Sequence, residues 1–280
     1  MMETISKQPI NFIAELEKLK EPVWEQINKY LPDKEPRGHY EMVRDYPERK
    51  GKYFRPGLLL LSAKMFGGDL ECLPAQTGAL LAAAAMQVSE DWLLIHDDFE
   101  DHSEKRRGKR CLNKIFGDEL AVNAGDALHI IMWKILGDNA RNCGVKGWMV
   151  YDKMNDIALT TTEGQFMELD WIREGRIAVP EEEYYKMIYI KAGYYTVTGP
   201  LQIGAICAGA DDGEIKKIEE WGVPFGCAFQ IWDDIMNLTV PSEKQGKERG
   251  GDILEGKRTL SLIHLLKCCS QKEKAFIEDV

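Results

Sequence analysis

Two acidic clusters lie far apart in this 280-residue chain, and each one ends an apolar stretch. The first runs from Asp97 to Asp101, and the second runs from Asp233 to Asn237. Carboxylates repel one another, so a fold that places both clusters on the walls of one cavity needs cations to hold them there. Hard divalent cations with oxygen ligands suit such a site, and they usually bind phosphates as well. The two clusters therefore favour a fold that joins distant segments around cations.

Helical spacing sharpens this interpretation. Residues four apart share a helix face, so Asp97 and Asp101 project together, and Asp233 and Asn237 do the same. Asp98 then lies about 100° round the helix from Asp97. A solvated acidic helix end would give the same pattern. The apolar residues that run directly into each cluster favour a cavity wall instead, and a general phosphate-binding protein would not need them.

The periodicity of apolar residues is helical almost throughout, as in the spacing of Phe12, Leu16, Leu19 and Val23. Prolines and a glycine between positions 32 and 47 are expected to break up the segment that follows. Further helices are predicted near 55, from 74 to the first acidic cluster, and over 119–139, 146–174, 181–189, 198–208, 212–239 and 259–268. We therefore predict an all-α fold, a single-domain helical bundle over residues 1–280 with a central cavity.

Composition excludes several classes of function. The formal net charge of -10 argues against a nucleic-acid partner, because phosphates would be repelled. The first ten residues do not resemble a signal peptide, and the apolar runs at 57–63 and 78–86 are too short to span a bilayer. Seven cysteines without a C-x-x-C pair fit a reduced, cytoplasmic setting. Cys268 and Cys269 are interpreted as two small helix residues.

Basic residues stand close to the acidic clusters and to glycines. Each of them alone is more often a surface charge, yet this placement favours contacts with phosphate, for which arginine offers a fork and lysine a point charge. The candidates are Lys52, Arg55, Arg106, Arg107, Lys191, Lys247 and Lys257.

The motifs together resemble the trans-isoprenyl diphosphate synthases, the group of farnesyl and geranylgeranyl diphosphate synthases. The resemblance covers nearly the whole chain, and the motifs follow the order of that family. They are Gly51-Lys52-x-x-Arg55-Pro56, Asp97-Asp98-x-x-Asp101 with Arg106-Arg107-Gly108, Gly164-Gln165, Lys191, Phe229-Gln230-x-x-Asp233-Asp234, and Gly246-Lys247-x-x-Gly250-x-Asp252-x-x-Glu255-Gly256-Lys257-x-Thr259-Leu260.

This resemblance implies a helical bundle, usually a homodimer, with a deep cavity and three Mg²⁺ ions. Asp97 and Asp101 would ligate two of the ions and Asp233 the third. The remaining roles divide by substrate. Arg106, Lys191 and Lys247, supported by Lys257, would hold the allylic diphosphate, while Lys52, Arg55 and Arg107 would bind isopentenyl diphosphate. Asp98, Asp234, Gln230 and Asp252 would orient ligands and waters.

The resemblance also implies the reaction and a limit on its product. The allylic diphosphate ionises, isopentenyl diphosphate attacks the carbocation, and a proton is lost, so no histidine base is required; His96 is interpreted as a packing or orienting residue. The residue five before the first motif often forms the floor of the elongation cavity. Here it is Trp92, followed by Leu93. Such a large floor predicts a C20 product, with C15 as the second choice.

Three positions depart from the family pattern. Asn237 replaces the last aspartate of the second motif, and Ala192 stands where threonine is usual. Glu90 stands seven before Asp97, where the family tends to have His or Gln in contact with isopentenyl diphosphate. A carboxylate there should repel a diphosphate unless Lys52 or Arg55 neutralises it. Gln87, about one turn earlier, is a candidate for the missing contact.

Two other functions share parts of this pattern. A class I terpene cyclase has the fold and the first motif, but it has no reason to keep the Lys52/Arg55 pair. A catalytically weak or regulatory subunit of a prenyl diphosphate synthase is the non-enzyme alternative, although such subunits tend to lose aspartates that are retained here.

Overall fold

The structure is a computed structural model that describes residues 11–68, 75–242 and 249–279. The predicted all-α fold is confirmed. In chain order the helices are α1 (Phe12–Tyr30), α2 (Arg37–Glu48), α3 (Phe54–Met65), α4 (Ala75–Glu100), α5 (Leu112–Phe116), α6 (Asp118–Cys143), α7 (Val145–Arg173), α8 (Glu181–Ile188), a π-helix (Tyr189–Thr198), α9 (Gly199–Ala208), α10 (Asp212–Thr239), α11 (Gly251–Leu254), α12 (Leu260–Cys268) and α13 (Gln271–Asp279). Strands β1 (Lys105–Arg106) and β2 (Lys109–Arg110) pair in an antiparallel hairpin.

Helix α4 forms the centre of the bundle. Its alanines at 82–85 are at most 2% exposed, and such small side chains allow neighbouring helices to approach closely. Helix α6 packs along α4, and α3 packs against α9. By length and composition the segment Gly78–Glu100 could cross a membrane, although the apolar run alone appeared too short in the sequence. In the bundle 83% of that window is buried, as expected of a core helix.

Most helix boundaries follow the sequence prediction closely, and the bounds of α10 agree with it fully. The region between 32 and 47 is the clear exception. We expected its prolines to break it up, but Arg37–Glu48 forms α2. Pro36 is the N-cap residue, where proline costs a helix little. Pro47 lacks the N–H for its helical hydrogen bond, but Met42, Val43 and Tyr46 bury one face of α2 in the core and offset that loss.

The chain from Glu181 to Ala208 is one continuous helical rod whose middle ten residues, Tyr189–Thr198, have π-helical hydrogen bonding. The sequence predicted two separate helices, 181–189 and 198–208, so neither the continuity of this rod nor its wider winding was expected. π-Helical segments are rare and often occur at functional sites. This one carries Lys191, Ala192 and Tyr195, all of which line the cavity described below.

Close packing of α3 on α9 depends on Gly204, and this gives a stability prediction. A Cβ at this position would clash with the carbonyl oxygen of Leu59, which is main chain and cannot rotate away. We expect Gly204→Ala to lower the free energy of unfolding by about 1–3 kcal/mol, as overpacking does. Urea unfolding followed by circular dichroism measures this change.

Gly38→Ala is the matched control, because a Cβ at Gly38 in α2 meets nothing within 4 Å. Alanine favours a helix over glycine by up to about 1 kcal/mol, so this control should be neutral or slightly stabilising. Equal destabilisation by both substitutions would contradict the packing argument.

Candidate functional site

The two acidic clusters meet at one cavity of about 470 Å³ between the C-terminal half of α4 and the end of α10. Asp97 of the first cluster lines it, as do Asp233 and Asp234 of the second. Asp252, from the segment that follows α10, adds a further acid to the lining. The walls that lie between these acids belong to α7, α8 and the π-helix. Segments more than 130 residues apart in the sequence therefore face the same space.

In each Asp-Asp pair the second aspartate is buried and receives a tyrosine hydroxyl. Asp98 is 1% exposed, and the Tyr46 hydroxyl donates to its Oδ2 over 2.5 Å. Asp234 is 8% exposed, and the Tyr184 hydroxyl donates to its Oδ2 over 2.9 Å. Gln230 donates to the other oxygen of Asp234 over 2.8 Å. These bonds fix the rotation of both helix ends and leave the first aspartate of each pair beside the cavity.

The β1–β2 hairpin returns Arg106 to the first cluster. Arg107 and Gly108 form its turn, and both have positive φ, as a tight two-residue hairpin requires. The Arg106 guanidinium is buried and donates to Asp98, with Nε 2.7 Å from Oδ1, and its Nη2 lies 3.2 Å from Asp97 Oδ2. Burial opposes the charge on Arg106, yet Asp98 and Asp97 raise its pKa. Arg106 therefore stays charged and fixes the first cluster.

Two lysines place positive charge between the clusters. Lys257 Nζ lies 2.7 Å from Asp101 Oδ2, 2.6 Å from Glu255 Oε2 and 3.8 Å from Asp252 Oδ1. Its own pKa is raised, because the surrounding carboxylates outweigh the effect of burial. In this arrangement the ammonium group bridges the first cluster and the C-terminal segment.

Lys191 is the second of these lysines and lies on the opposite wall. Its ammonium group pairs with Glu168 and lies 3.9 Å from Asp97 Oδ1. Gly164 makes this placement possible, since a Cβ there would strike the backbone of Lys191 where α7 meets the π-helix. Burial alone would lower the pKa of Lys191, but Glu168 and Asp97 outweigh burial and raise the pKa above its ordinary value. The lysine therefore remains protonated.

The acids suit a hard cation in their chemistry, and their protonation behaviour points the same way. Burial, together with the neighbouring Asp97 carboxylate, raises the pKa of Asp101 to about 7 despite Lys257. Within the described ranges, no three His, Cys, Asp or Glu side chains stand close enough to hold an ion by themselves. Asp97, Asp101 and Asp233 offer carboxylate oxygens, the ligand type that a hard divalent ion prefers.

A second group of charges lies at the other end of the α4 face, where arginines and acids pair with each other. Arg55 Nη1 lies 3.3 Å from Glu90 Oε2, and Arg107 Nη2 lies 3.5 Å from Glu90 Oε1. Arg107 also contacts Asp91 Oδ1 over 2.7 Å. Glu90 is therefore neutralised by Arg55, one of the two residues expected to do so, and also by Arg107, which was not expected.

Apolar side chains form the rest of the cavity. Trp92, Leu93, Leu94, Phe166, Leu169, Met187 and Ile188 line it. The Trp92 ring stacks on the His129 imidazole of α6, with centroids 4.1 Å apart, and Trp133 Nε1 donates to His129 Nε2 over 2.8 Å. His96 packs edge-on against Trp92, in keeping with a packing role. The cavity therefore has a charged end and an apolar end.

Not every residue expected at the site is placed there. Lys52 is exposed before α3 and does not line the cavity, and Lys247 lies outside the described residues. Asn237 is buried and accepts the Asp252 amide at its Oδ1 over 3.3 Å, so it holds the C-terminal segment. Ala192 lines the cavity, as expected of a position opposite the acids.

Sequence reasoning missed Tyr46, Tyr184, Glu168 and Asp91. The tyrosines lie on α2 and α8, about 50 residues from the aspartates that they bind, and only the fold brings them near. Glu168 gave a usable signal, because it follows Gly164 by one helical turn and so shares its face. Asp91 is adjacent to Glu90, and its burial could not be read from the pattern.

Comparison with known proteins agrees with this arrangement. The polyprenyl synthetase family model matches residues 37–280. A geranylfarnesyl diphosphate synthase of Natronomonas pharaonis is 32% identical over 259 residues, which covers 88% of this chain and 74% of that protein. A geranylgeranyl diphosphate synthase of Methanosarcina mazei is 33% identical over 238 residues, covering 85% of this chain and 70% of that protein.

A solved structure extends the likeness to three dimensions. The crystal structure of geranylgeranyl pyrophosphate synthetase from Pyrococcus horikoshii superposes with a TM-score of 0.82 at 32% identity. The match covers 96% of this chain and 79% of that one. The bundle described above is therefore the fold of these proteins.

The buried Asp234 predicts a pH dependence of stability. Burial raises its pKa from 3.8 to about 7, so the folded protein holds a proton that the unfolded chain releases. This contribution to stability is present below the unfolded pKa and is lost as the pH rises through the folded pKa. In the metal-free protein we expect the free energy of unfolding of the parent to fall between about pH 5 and pH 8, and that of Asp234→Asn to fall less.

Urea unfolding at several pH values measures this difference. Asp152→Asn, an exposed aspartate of α7, is the control and should follow the parent. Parallel pH profiles for the parent and Asp234→Asn would show that Asp234 titrates normally.

Proposed function

This chain belongs to the polyprenyl synthetase family, and from that premise we propose that it condenses isopentenyl diphosphate with an allylic diphosphate of five to fifteen carbons, releasing diphosphate. It is a short-chain prenyltransferase, and its substrates are isoprenyl diphosphates. One observation carries the proposal. Two aspartate clusters and two buried lysines surround the charged end of a cavity whose other end is apolar. An allylic diphosphate is divided in the same way, into a charged head group and a hydrocarbon tail.

The head group of the allylic substrate fits the charged end. Lys191 and Lys257 offer ammonium groups beside Asp97 and Asp101, and Arg106 holds the first cluster in place. Asp97, Asp101 and Asp233 would hold Mg²⁺, three ions in all with the diphosphate bound. When bound, the metal ions supply charge stabilisation for the departing diphosphate. Lys247 is proposed as a further contact from the C-terminal loop.

Side chains of this chain then govern the carbon chemistry. Lys191 and Lys257 stabilise negative charge that develops on the leaving oxygen, since preorganised donors act most strongly where water is excluded. Leu94, Leu169 and Ile188 exclude water that would quench an allylic cation. His96 lines the cavity, but its Nε2 lies 3.4 Å from the Val122 carbonyl oxygen of α6, so the departing diphosphate is the proposed proton acceptor. Arg55 and Arg107 bind the second substrate, with Lys52 approaching from the surface.

We propose geranylgeranyl diphosphate, C20, as the product. Trp92 and Leu93 line the apolar end, and Trp92 is backed by His129 and Trp133, so the floor is two side chains thick. Burial lowers the pKa of His129, which keeps the ring neutral and able to accept the Trp133 N–H. The relatives include both geranylgeranyl and geranylfarnesyl synthases, so C25 joins C15 as a product to be tested.

Residues 1–280 are proposed to form one domain that acts as a cytoplasmic homodimer. Exposed apolar side chains on α6 and α7 support a subunit contact, because single subunits rarely expose so many. Ile130 is 69% exposed, Leu159 61% and Trp148 56%. A catalytically weak or regulatory subunit is the second candidate. It is favoured by the ion pairs of Glu90 with Arg55 and Arg107, because these arginines are the ones proposed to bind the second substrate.

Product length is the first test. Trp92→Ala removes the upper layer of the floor, and we expect longer products, C25 and above, because the tail gains room. Purified protein is incubated with Mg²⁺, labelled isopentenyl diphosphate and a C5, C10 or C15 primer, and the products are sized by chromatography. Trp221→Ala, an exposed tryptophan of α10, is the control. An unchanged product from Trp92→Ala would remove its role as the floor.

Metal binding by the second cluster is the second test. Asp233→Asn should lower kcat by roughly 100-fold, the scale of losing one preorganised charge contact in a transition state. The same assay, run across Mg²⁺ concentrations, measures this loss and the accompanying rise in Mg²⁺ requirement. Asp212→Asn, exposed in the first turn of α10, should retain the parent rate. A variant at Asp233 with more than half of the parent rate would contradict the assignment.

A further inference from the structure

The arginine pair of the acceptor end already holds an anion that the chain itself provides. The Glu90 carboxylate spans the two guanidinium groups, with one oxygen toward Arg55 at 3.3 Å and the other toward Arg107 at 3.5 Å. Two oxygens facing two arginines is also the way in which a diphosphate group would be held. The side chain of Glu90 is 14% exposed and lines the cavity, so it lies where an incoming anion must pass.

Both arginines keep their positions through other contacts. Arg55 Nη2 donates to the Thr196 hydroxyl over 2.8 Å, and its guanidinium lies 4.4 Å above the centre of the Tyr195 ring. These partners belong to the π-helix, which does not move with Glu90. Arg55 would therefore remain aimed at the cavity if Glu90 released it.

Arg107 is held in a similar way, from two further elements. Its Nη1 donates to the Tyr46 carbonyl oxygen over 2.8 Å and to Asp91 Oδ1 over 2.7 Å. Asp91 is 1% exposed, and neither Asp91 nor Arg107 lines the cavity, whereas Glu90, which pairs with Arg107, does. The two neighbouring acids thus have different roles. Asp91 holds Arg107 and does not line the cavity, whereas Glu90 pairs with both arginines and does line it.

The charge on Glu90 persists at neutral pH. Burial alone would raise its pKa, but Arg55 and Arg107 together lower it below the ordinary value. A bound diphosphate would therefore meet an ionised carboxylate and not a neutral acid. Lys52, the remaining candidate cation of this end, is exposed, and its charge is screened by solvent.

We propose that Glu90 is an internal competitor for the diphosphate group of isopentenyl diphosphate, and that it sets the affinity of this chain for that substrate. The proposal deepens the proposed function and rests on it. Binding requires the Glu90 side chain to leave Arg55 and Arg107, while Asp91 keeps Arg107 in place. Selectivity between the two substrates follows, because Glu90 forms ion pairs with Arg55 and Arg107, whereas Lys191 and Lys257 pair with Glu168 and Asp101.

Calorimetric titration of the metal-free protein with isopentenyl diphosphate, without an allylic partner, tests the competition. We expect Glu90→Gln to bind roughly tenfold more tightly than the parent, which is the change in Kd for about 1.4 kcal/mol. The Km for isopentenyl diphosphate should fall in parallel, while the Km for the allylic primer stays the same. Glu104→Gln is the matched control, because Glu104 is exposed and pairs with Lys114.

A positioning role for Asp91 makes the opposite prediction. Asp91→Asn should weaken binding of isopentenyl diphosphate, because Arg107 loses its charged tether. Removing the Glu90 charge takes one ion-pair partner from each of the two arginines, so a lower melting temperature is expected for Glu90→Gln. Inorganic pyrophosphate should restore the melting temperature by more than it stabilises the parent. Glu90→His, with the residue type that the family tends to carry, provides a second variant with the same expected gain.

Equal or weaker binding by Glu90→Gln and Glu90→His would overturn the proposal. This result is separate from a failure of the proposed function. A parent protein that binds isopentenyl diphosphate yet elongates no primer would refute the synthase, and the comparison of binding constants would still decide whether Glu90 competes.

Discussion

Repulsion among carboxylates at the ends of α4 and α10 is the interaction around which the rest of the site is arranged. Asp97 and Asp233 line one cavity, and Asp101 is buried one turn after Asp97, so their mutual repulsion requires positive charge close by. In this structure Lys191 and Lys257 provide that charge, and both come from segments that reach the cavity only in the folded chain. The helical bundle therefore has to bring α7, the π-helix and the C-terminal segment to the same place.

Two hydroxyl groups make this arrangement rigid. Tyr46 and Tyr184 each donate to the buried aspartate of one pair. Burial raises the pKa of both tyrosines, so they remain donors throughout the physiological range. Asp97 and Asp233 line the cavity and are consequently held in place through their sequence neighbours, Asp98 and Asp234. Their own carboxylate oxygens can then interact with cations.

The sequence predicted the fold class and most helix boundaries, because apolar periodicity is a local property. It also predicted that the acidic clusters share a cavity, through the apolar residues that lead into them. It could not predict α2, where burial of one face in the core offsets the hydrogen bond lost at Pro47, nor the π-helical winding of Tyr189–Thr198. The partners of the charged residues, such as Tyr46 for Asp98 or Arg107 for Glu90, depend on tertiary contacts and were beyond local reasoning.

The π-helical segment has a consequence for how this chain can vary. Each π turn holds more residues than an α turn, so Tyr189–Thr198 offsets the angular phase of α8 from that of α9. Tyr184 on one side and Leu201 on the other are both buried with that offset present. An insertion or deletion here would rotate one half of the rod against the other, and Lys191 would turn with it. A change in the length of this rod would therefore displace side chains along a whole half of it, whereas a replacement acts at its own position.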